Sequence, residues 1–239
     1  MIKIEHVDVV GWEPAIRGMR NPMNSWDKSD SGWVDGAFLL GPNDIDLMHR
    51  LYVGGSEHRK FMRMLIVTMD ITAPLYWWKE FDTYKIGTVA NSCSTMHKIH
   101  AKPFELNDFS WEHLLNTGCD LFELKWGKDF SAMVQPQHFL IEYIIPVLNV
   151  CREKYLETKD KNYWWQMIQL LPTSYNQRRT LMMNYEVADN IIRQRSGHKL
   201  DEWHELVDVL RELPYMHEIS TGCTKDYCPI DFGGGAGNV

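Results

Sequence analysis

The feature that most constrains this chain is the run over residues 62–71, β-branched and apolar, which leads through Thr72 to Ala73-Pro74. Such a run predicts a buried strand. Pro74 then suits the first turn of a helix, because its missing N–H is one the helix leaves unpaired there. That helix is predicted over residues 75–84 and opens with Leu75-Tyr76-Trp77-Trp78. Most of the other periodic segments read as helices. One is capped at Asn43-Asp44, carries Ile45, Leu47, Met48, Leu51 and Tyr52, and stops at Gly54-Gly55. A long one covers 136–159, with a kink at Pro146. Others cover 163–171, ended by Pro172, then 176–195, stopped by Ser196-Gly197, and 201–213, stopped by Pro214. Residues 2–10 alternate like a strand, 25–36 read as a loop rich in Asp, Ser and Gly, and 85–100 as an extended segment or loop.

The expected class is therefore α/β in the α+β sense, helix-rich, as one domain over residues 1–220. Residues 221–239, with Gly233-Gly234-Gly235-Ala236-Gly237, are expected to form a flexible Gly-rich tail. At 239 residues the chain is long enough to bury a core without staples. Hydrophobic residues at 44% and charged residues at 24% exclude a disordered or fibrous chain. The net charge of −7 and the lack of a basic block give no support to a nucleic-acid or anionic-membrane surface. The best membrane candidate, residues 139–148, holds Glu142 and Pro146 and falls short of the ~20 apolar residues a span needs. The N-terminus has no apolar stretch of the signal-peptide kind. A soluble, cytoplasmic protein is expected.

Five scattered cysteines, Cys93, Cys119, Cys151, Cys223 and Cys228, fit free thiols in a reducing compartment. His217, Cys223 and Cys228 lack the ligand number and spacing of a zinc site, so no metal is expected. The unusual load is 10 Trp and 13 Met. Trp77-Trp78 and Trp164-Trp165 are adjacent pairs, so in a helix one member of each faces the core and the other faces elsewhere. That second face suits a stacking platform or, more simply, a subunit interface. Flexible core filling is enough to account for the methionines.

No phosphate loop, dinucleotide Gly-rich turn, nucleophile elbow or His-Glu-x-x-His is present. Two segments carry more. The first has Leu47-Met48-His49-Arg50-Leu51-Tyr52-Val53-Gly54-Gly55, the strand, and Ala73-Pro74-Leu75-Tyr76-Trp77-Trp78-Lys79-Glu80-Phe81. It closes with Thr83-Tyr84-Lys85-Ile86-Gly87-Thr88, Asn91, Ser94 and Lys98. In the second, Leu171-Pro172 is followed by Asn184, Arg195, His198 and Trp203-His204-Glu205-Leu206. This order resembles the flavin-dependent thymidylate synthases, over roughly 85 to 95 residues in two blocks. Their signature reads Arg-His-Arg-x-x-Ser-x-Asn-Glu-x-Ser-x-Arg-Tyr, and Lys85, Thr88, Asn91 and Ser94 keep or conserve its positions, with one residue inserted. The interval from Pro172 to Asn184 and that from Asn184 to Arg195 also match. Eleven helical residues return to one face, about 16 Å along the axis, so both side chains suit one elongated ligand. The phosphate-gripping arginines of the family correspond to Met96 and Ile168 here, and a flavin-contacting arginine to Glu186.

The resemblance implies a single domain with a central, mostly antiparallel sheet, acting as a homotetramer with sites at subunit interfaces. It implies reductive methylation of dUMP to dTMP with FAD, methylenetetrahydrofolate as carbon donor and NADPH as reductant. Arg195 would polarise the pyrimidine. Lys85, Thr83, Tyr84, Asn91, Asn184 and His198 would hold the cofactor, and Ser94, Glu80 and Arg178 the nucleotide. Each has an ordinary alternative. Arg195 complements a helix C-terminal dipole, Asn184 is a surface amide, Asn91 and Ser94 make turns, and Lys85 is a solvated charge. Arg178 and Arg179 are neighbours about 100° apart on a predicted helix, so at most one faces a site. A silent or substrate-shifted nucleotide-binding homologue is the alternative to the enzyme.

Overall fold

The computed structural model of the protein describes residues 2–117, 121–126 and 130–222. In chain order, β1 (Lys3–Val10) leads to α1 (Trp12–Arg20), the short pair β2 (Gly32–Val34) and β3 (Ala37–Leu39), and α2 (Pro42–Val53). Next come β4 (Ile66–Pro74), α3 (Leu75–Phe81), β5 (Thr88–Ser92) and the one-turn α4 (Thr95–Lys98). The pair β6 (Phe122–Trp126) and β7 (Phe130–Val134) precedes α5 (Pro136–Phe139), α6 (Ile145–Thr158) and α7 (Lys161–Leu170). The chain continues through β8 (Asn176–Asn184), α8 (Tyr185–Arg195), α9 (Asp201–Arg211) and α10 (Met216–Thr221). The main sheet runs β1-β4-β8-β5, and both short pairs are antiparallel hairpins. The helix-rich α+β class with an antiparallel sheet, expected from sequence, is what is found.

Met62 and Arg63 belong to a 3-10 turn, and β4 overlaps the apolar run but starts four residues late, at Ile66, and runs on to Pro74. Its burial alternates, with Val67, Met69, Ile71 and Ala73 enclosed, and Pro74 stands at the N-cap of α3 in extended conformation. β8 overturns an expectation. Residues 176–195 are not one helix: 176–184 form a strand and the helix begins at Tyr185. The inward set Gln177, Leu181 and Met183 has a period of two, and β8 sits inside the sheet between β4 and β5. Interior pairing supplies backbone hydrogen bonds from distant segments, which a local helical reading cannot anticipate. Arg178 and Arg179 therefore point to opposite faces of a strand, not 100° apart on a helix.

Residues 136–159 are helical as expected, with a π-helical turn at Leu140–Ile144 just before Pro146. Pro146 has no N–H to donate, and the widened turn accommodates the missing bond. The loop reading of 25–36 misses β2, whose hairpin turns at Asp35-Gly36 with φ of 49° and 82°. Two positive φ angles at an Asp-Gly pair are the tight turn that matches strand twist. α1 and the β6–β7 hairpin are also absent from the sequence reading.

Two compact units divide the chain. The first comprises residues 1–5, 70–83 and 90–180. Its core holds Ile99, Phe104, Phe109, Leu140, Leu148 and Met167, with α6 packed on α7. Trp77 and Trp78 are both fully buried, against the expectation that one faces outward. Trp77 stacks on Phe81 at 5.3 Å, and the Trp78 indole N–H donates to the Gln177 carbonyl at 2.8 Å. At Trp164-Trp165 the expectation is met: Trp164 packs against the core while Trp165 is 40% exposed.

The second unit comprises residues 6–69, 84–89 and 181–239, described as far as Gly222. Here Trp12 meets Tyr185 and Tyr215 edge-on at 5.5 and 5.4 Å, α9 packs on α8, and α10 on α2. Asp44 is not a helix cap but a buried knot. It accepts from Arg20 Nε at 2.6 Å, Ser29 Oγ at 2.8 Å and Ser31 Oγ at 2.6 Å. Burial pushes its pKa up, but the Ser31, Ser29 and Arg20 hydrogen bonds outweigh that and hold it below the ordinary carboxylate value. Residues 223–239, including Cys223, Cys228 and most of the expected tail, lie outside the described residues, as does Cys119. Cys93 and Cys151 are free thiols.

Candidate functional site

In the second unit, Asn184 stands at the N-cap of α8 and Arg195 is its last residue. The Asn184 carboxamide oxygen accepts from the Val187 N–H at 3.0 Å, which satisfies one orphan donor of the helix start. Its amide nitrogen borders Gly87, where φ is +77° and an added Cβ would come within 2.6 Å of that nitrogen. Only glycine closes this turn, which the Thr88 hydroxyl also ties to the Tyr84 carbonyl. Lys85 and Ile86 project from it, both exposed, Ile86 to 91%.

At the other end of α8, the half-buried Arg195 places its guanidinium 4.5 Å from the Trp203 ring centre. Its Nε donates to the Tyr84 hydroxyl at 3.0 Å, and that hydroxyl donates to Gln194 Oε1 at 3.0 Å. His198 adds a ring 6.0 Å from Trp203, with Nδ1 accepting from the Leu200 N–H at 3.1 Å. A guanidinium over an indole gains cation–π attraction of about 0.5–2 kcal/mol, and the Nε bond to Tyr84 leaves the terminal nitrogens of the fork for directional donation. Tyr84, Arg195, His198 and, on the turn beside Asn184, Lys85 are thus brought into one unit. Trp203 and Gln194 are the members that sequence reasoning did not assign.

The first unit holds the remaining candidates. Ser94 caps α4, its Oγ accepting from the His97 N–H at 3.1 Å. With Cys93, Lys98, Tyr175, Gln177 and Arg178 it lines a cavity of about 100 Å³, room for one end of a nucleotide rather than the whole. Arg178 donates to Asp70 at 2.6 Å and lies 3.8 Å from Glu5; the Asp70 bond raises its pKa above the ordinary guanidinium value. Asn91 is exposed on β5. The Thr83 hydroxyl donates to the Glu80 carbonyl at 2.8 Å, and Glu80 is half-buried at the end of α3. Arg179, not Arg178, is the enclosed arginine: it lies 4.2 Å from the Trp78 ring centre and donates to Asp82 at 2.7 Å.

No family model and no curated protein matches the chain. Solved structures do. Thymidylate synthase X from Helicobacter pylori with FAD and dUMP is 17% identical, with TM-score 0.59 over 92% of this chain and 97% of its own. A second structure of that enzyme, also with FAD and dUMP, gives 18%, TM-score 0.60, and 93% and 100%. The UMP/dUMP methylase PolB from Streptomyces cacaoi, bound with 5-Br dUMP, gives 16%, TM-score 0.58, and 93% and 95%. The fold is that of the flavin-dependent thymidylate synthases. Identities of 16–18% leave the reaction to be argued from this chain's own side chains.

Within that fold, the three positions where the sequence lacks an expected arginine have settled local surroundings. Glu186 accepts from Arg63 at 2.5 and 3.2 Å. Ile168 packs against the core of the first unit. The exposed Met96 offers its carbonyl to the Trp164 indole N–H at 3.2 Å. These are stable replacements, so a thymidylate synthase fold is kept without those guanidinium groups.

Proposed function

We propose that this protein is a flavin-dependent nucleotide methylase that converts dUMP to dTMP with methylenetetrahydrofolate as carbon donor. The observation that carries the reading is Arg195 with its guanidinium 4.5 Å over the Trp203 ring and Nε on the Tyr84 hydroxyl, at the end of a helix begun by Asn184. Solved structures of the same fold contain FAD and dUMP, which supports the choice of ligands.

The donor set fits a flavin dinucleotide. In the second unit Lys85 offers an exposed ammonium for a pyrophosphate, and Asn184 a carboxamide beside the glycine turn at Gly87; in the first unit Asn91 offers an exposed carboxamide. Thr83, Tyr84 and His198 complete the proposed cofactor residues. When bound and reduced by NADPH, FAD would supply the hydride that this chemistry needs. The chain's own work is to bind and to polarise. Arg195 presents a fixed positive charge to a pyrimidine carbonyl, stabilising negative charge that develops on the ring. Ser94 and Glu80 hold the nucleotide by hydrogen bonds, and Arg178 contacts it while shared with Asp70.

A homotetramer with its sites at subunit interfaces is part of the proposal. Phe139, Tyr143, Val147 and Val150 form an apolar stripe at helical spacing, and Tyr143 is 60% exposed. Light scattering is expected to give a tetramer, and Tyr143→Asp a smaller species. A cytoplasmic location is proposed from the free thiols; among the described residues no helix is long and apolar enough to cross a membrane.

The second reading, a substrate-shifted or silent nucleotide binder, is favoured by Met96, Ile168 and Glu186 in place of arginines. Incubation with FAD followed by gel filtration separates the two. Bound flavin absorbance and dTMP formation support the methylase; protein that takes up no FAD sinks it. Rescue of a thymidine-requiring strain by the gene excludes the silent reading.

A further inference from the structure

An arginine that polarises a substrate must be aimed before the substrate arrives. A guanidinium is planar, and Nε with its hydrogen, the central carbon and the two terminal nitrogens share that plane. A partner held on Nε therefore sets where the terminal nitrogens point. In the second unit that partner is the Tyr84 hydroxyl, 3.0 Å from Arg195 Nε.

The same hydroxyl donates to Gln194 Oε1 at 3.0 Å. Arginine only donates and a carboxamide oxygen only accepts, so the group between them must do both, as a hydroxyl does. Gln194 and Arg195 are successive residues of α8, and their side chains leave the helix about 100° apart. One hydroxyl that meets both is held from two directions. The aromatic rings close in from a third. The guanidinium carbon lies 4.5 Å from the Trp203 ring centre and 5.6 Å from that of Tyr84, with the two rings 6.0 Å apart at 59°. Trp203 is fully buried, and His198 stands edge-on to it at 6.0 Å. Tyr84 is also anchored through its backbone, because the Thr88 hydroxyl donates to its carbonyl across the turn at Gly87. Packing alone does not call for the hydroxyl: phenylalanine would offer Arg195 and Trp203 the same ring. Where the signature this chain resembles has histidine, the chain has Tyr84.

We propose that Tyr84 is a positioning residue: its hydroxyl, not its ring, sets the direction in which the Arg195 guanidinium faces the pyrimidine. The inference rests on the methylase reading and deepens it, by naming the group that aims Arg195. It also separates the work of the hydroxyl from the part the ring takes in holding the cofactor.

Tyr84→Phe, Arg195→Lys and the double variant test it on the intact, FAD-loaded protein with two readouts. The first is dTMP formation. Tyr84→Phe is expected to lower kcat about tenfold or more, with flavin content unchanged and the KM for dUMP within about twofold. In the Arg195→Lys background the same change is expected to cost less than about twofold, because the group that the hydroxyl aims is gone. Equal losses in the two backgrounds overturn the proposal, as does a raised KM at unchanged kcat or a loss of flavin from Tyr84→Phe. The second readout needs no activity. It is the exchange with water of the Arg195 Nε–H, followed by nuclear magnetic resonance in isotope-labelled protein and assigned by its absence from Arg195→Lys. Tyr84→Phe is expected to speed this exchange about tenfold or more, and an unchanged rate overturns the proposal. If the wild type forms no dTMP, the methylase reading fails, while exchange that Tyr84→Phe accelerates still supports Tyr84 as the residue that positions Arg195.

Discussion

The two adjacent tryptophan pairs carry the same sequence signal and meet opposite fates. In α7, Trp164 packs on the core and Trp165 is 40% exposed, as neighbours on a helix should be. In α3, Trp77 and Trp78 are both fully buried. The difference lies in what covers the second face. The first N–H groups of α3 donate to the Tyr175 and Thr173 carbonyls, each at 3.0 Å, which ties the helix start to the chain entering β8. That chain brings Gln177, whose carbonyl accepts from Trp78, and Arg179, whose guanidinium roofs the indole at 4.2 Å. A short helix caught in this way has no outer face for its tryptophans. The fate of an aromatic pair is set by a distant segment, not by its own spacing.

The contrast can be broken at three places. Trp78→Ala is expected to cost about 3–5 kcal/mol, read as a lowered denaturant midpoint at unchanged slope. A loss comparable to that of a surface substitution would mean the indole is not enclosed. Arg179→Ala removes the roof and leaves Gln177 and Asp82 without their partner, for about 1–2 kcal/mol in the same experiment. A neutral result there would leave the burial of Trp78 without its stated cause. Trp165→Ala is expected to change stability by no more than about 0.5 kcal/mol. A large effect would show that its exposed face is covered in solution, and light scattering on the same variant would show whether another copy covers it.

Legibility followed the same division between local and distant causes. β4, Pro74 at the start of α3, the long helix of residues 136–158 and the stop at Leu171-Pro172 were readable, because composition and proline placement settle them within a few residues. β8 was not, because an interior strand takes its hydrogen bonds from β4 and β5, which the local pattern of 176–184 does not contain. The Asn184–Arg195 interval survived that error: Asn184 caps the helix and Arg195 ends it, so the spacing holds although the first residue is not in the helix. Among the candidate residues, the sequence placed Tyr84, Arg195 and His198 in a common reading, and they share one unit around Trp203. Their mutual geometry was beyond sequence, since Tyr84 and Arg195 are joined by a hydrogen bond across more than a hundred residues.

The central claim is that Arg195, fixed on Trp203, polarises a pyrimidine in a flavin-dependent methylation. Its most direct test is dTMP formation by FAD-loaded protein, compared between the wild type and Arg195→Ala with flavin content measured in both. The account predicts turnover by the wild type and a loss of about 10²–10³-fold in the variant at undiminished flavin content, the scale of removing one preorganised electrostatic donor. Equal turnover by the two proteins would contradict it.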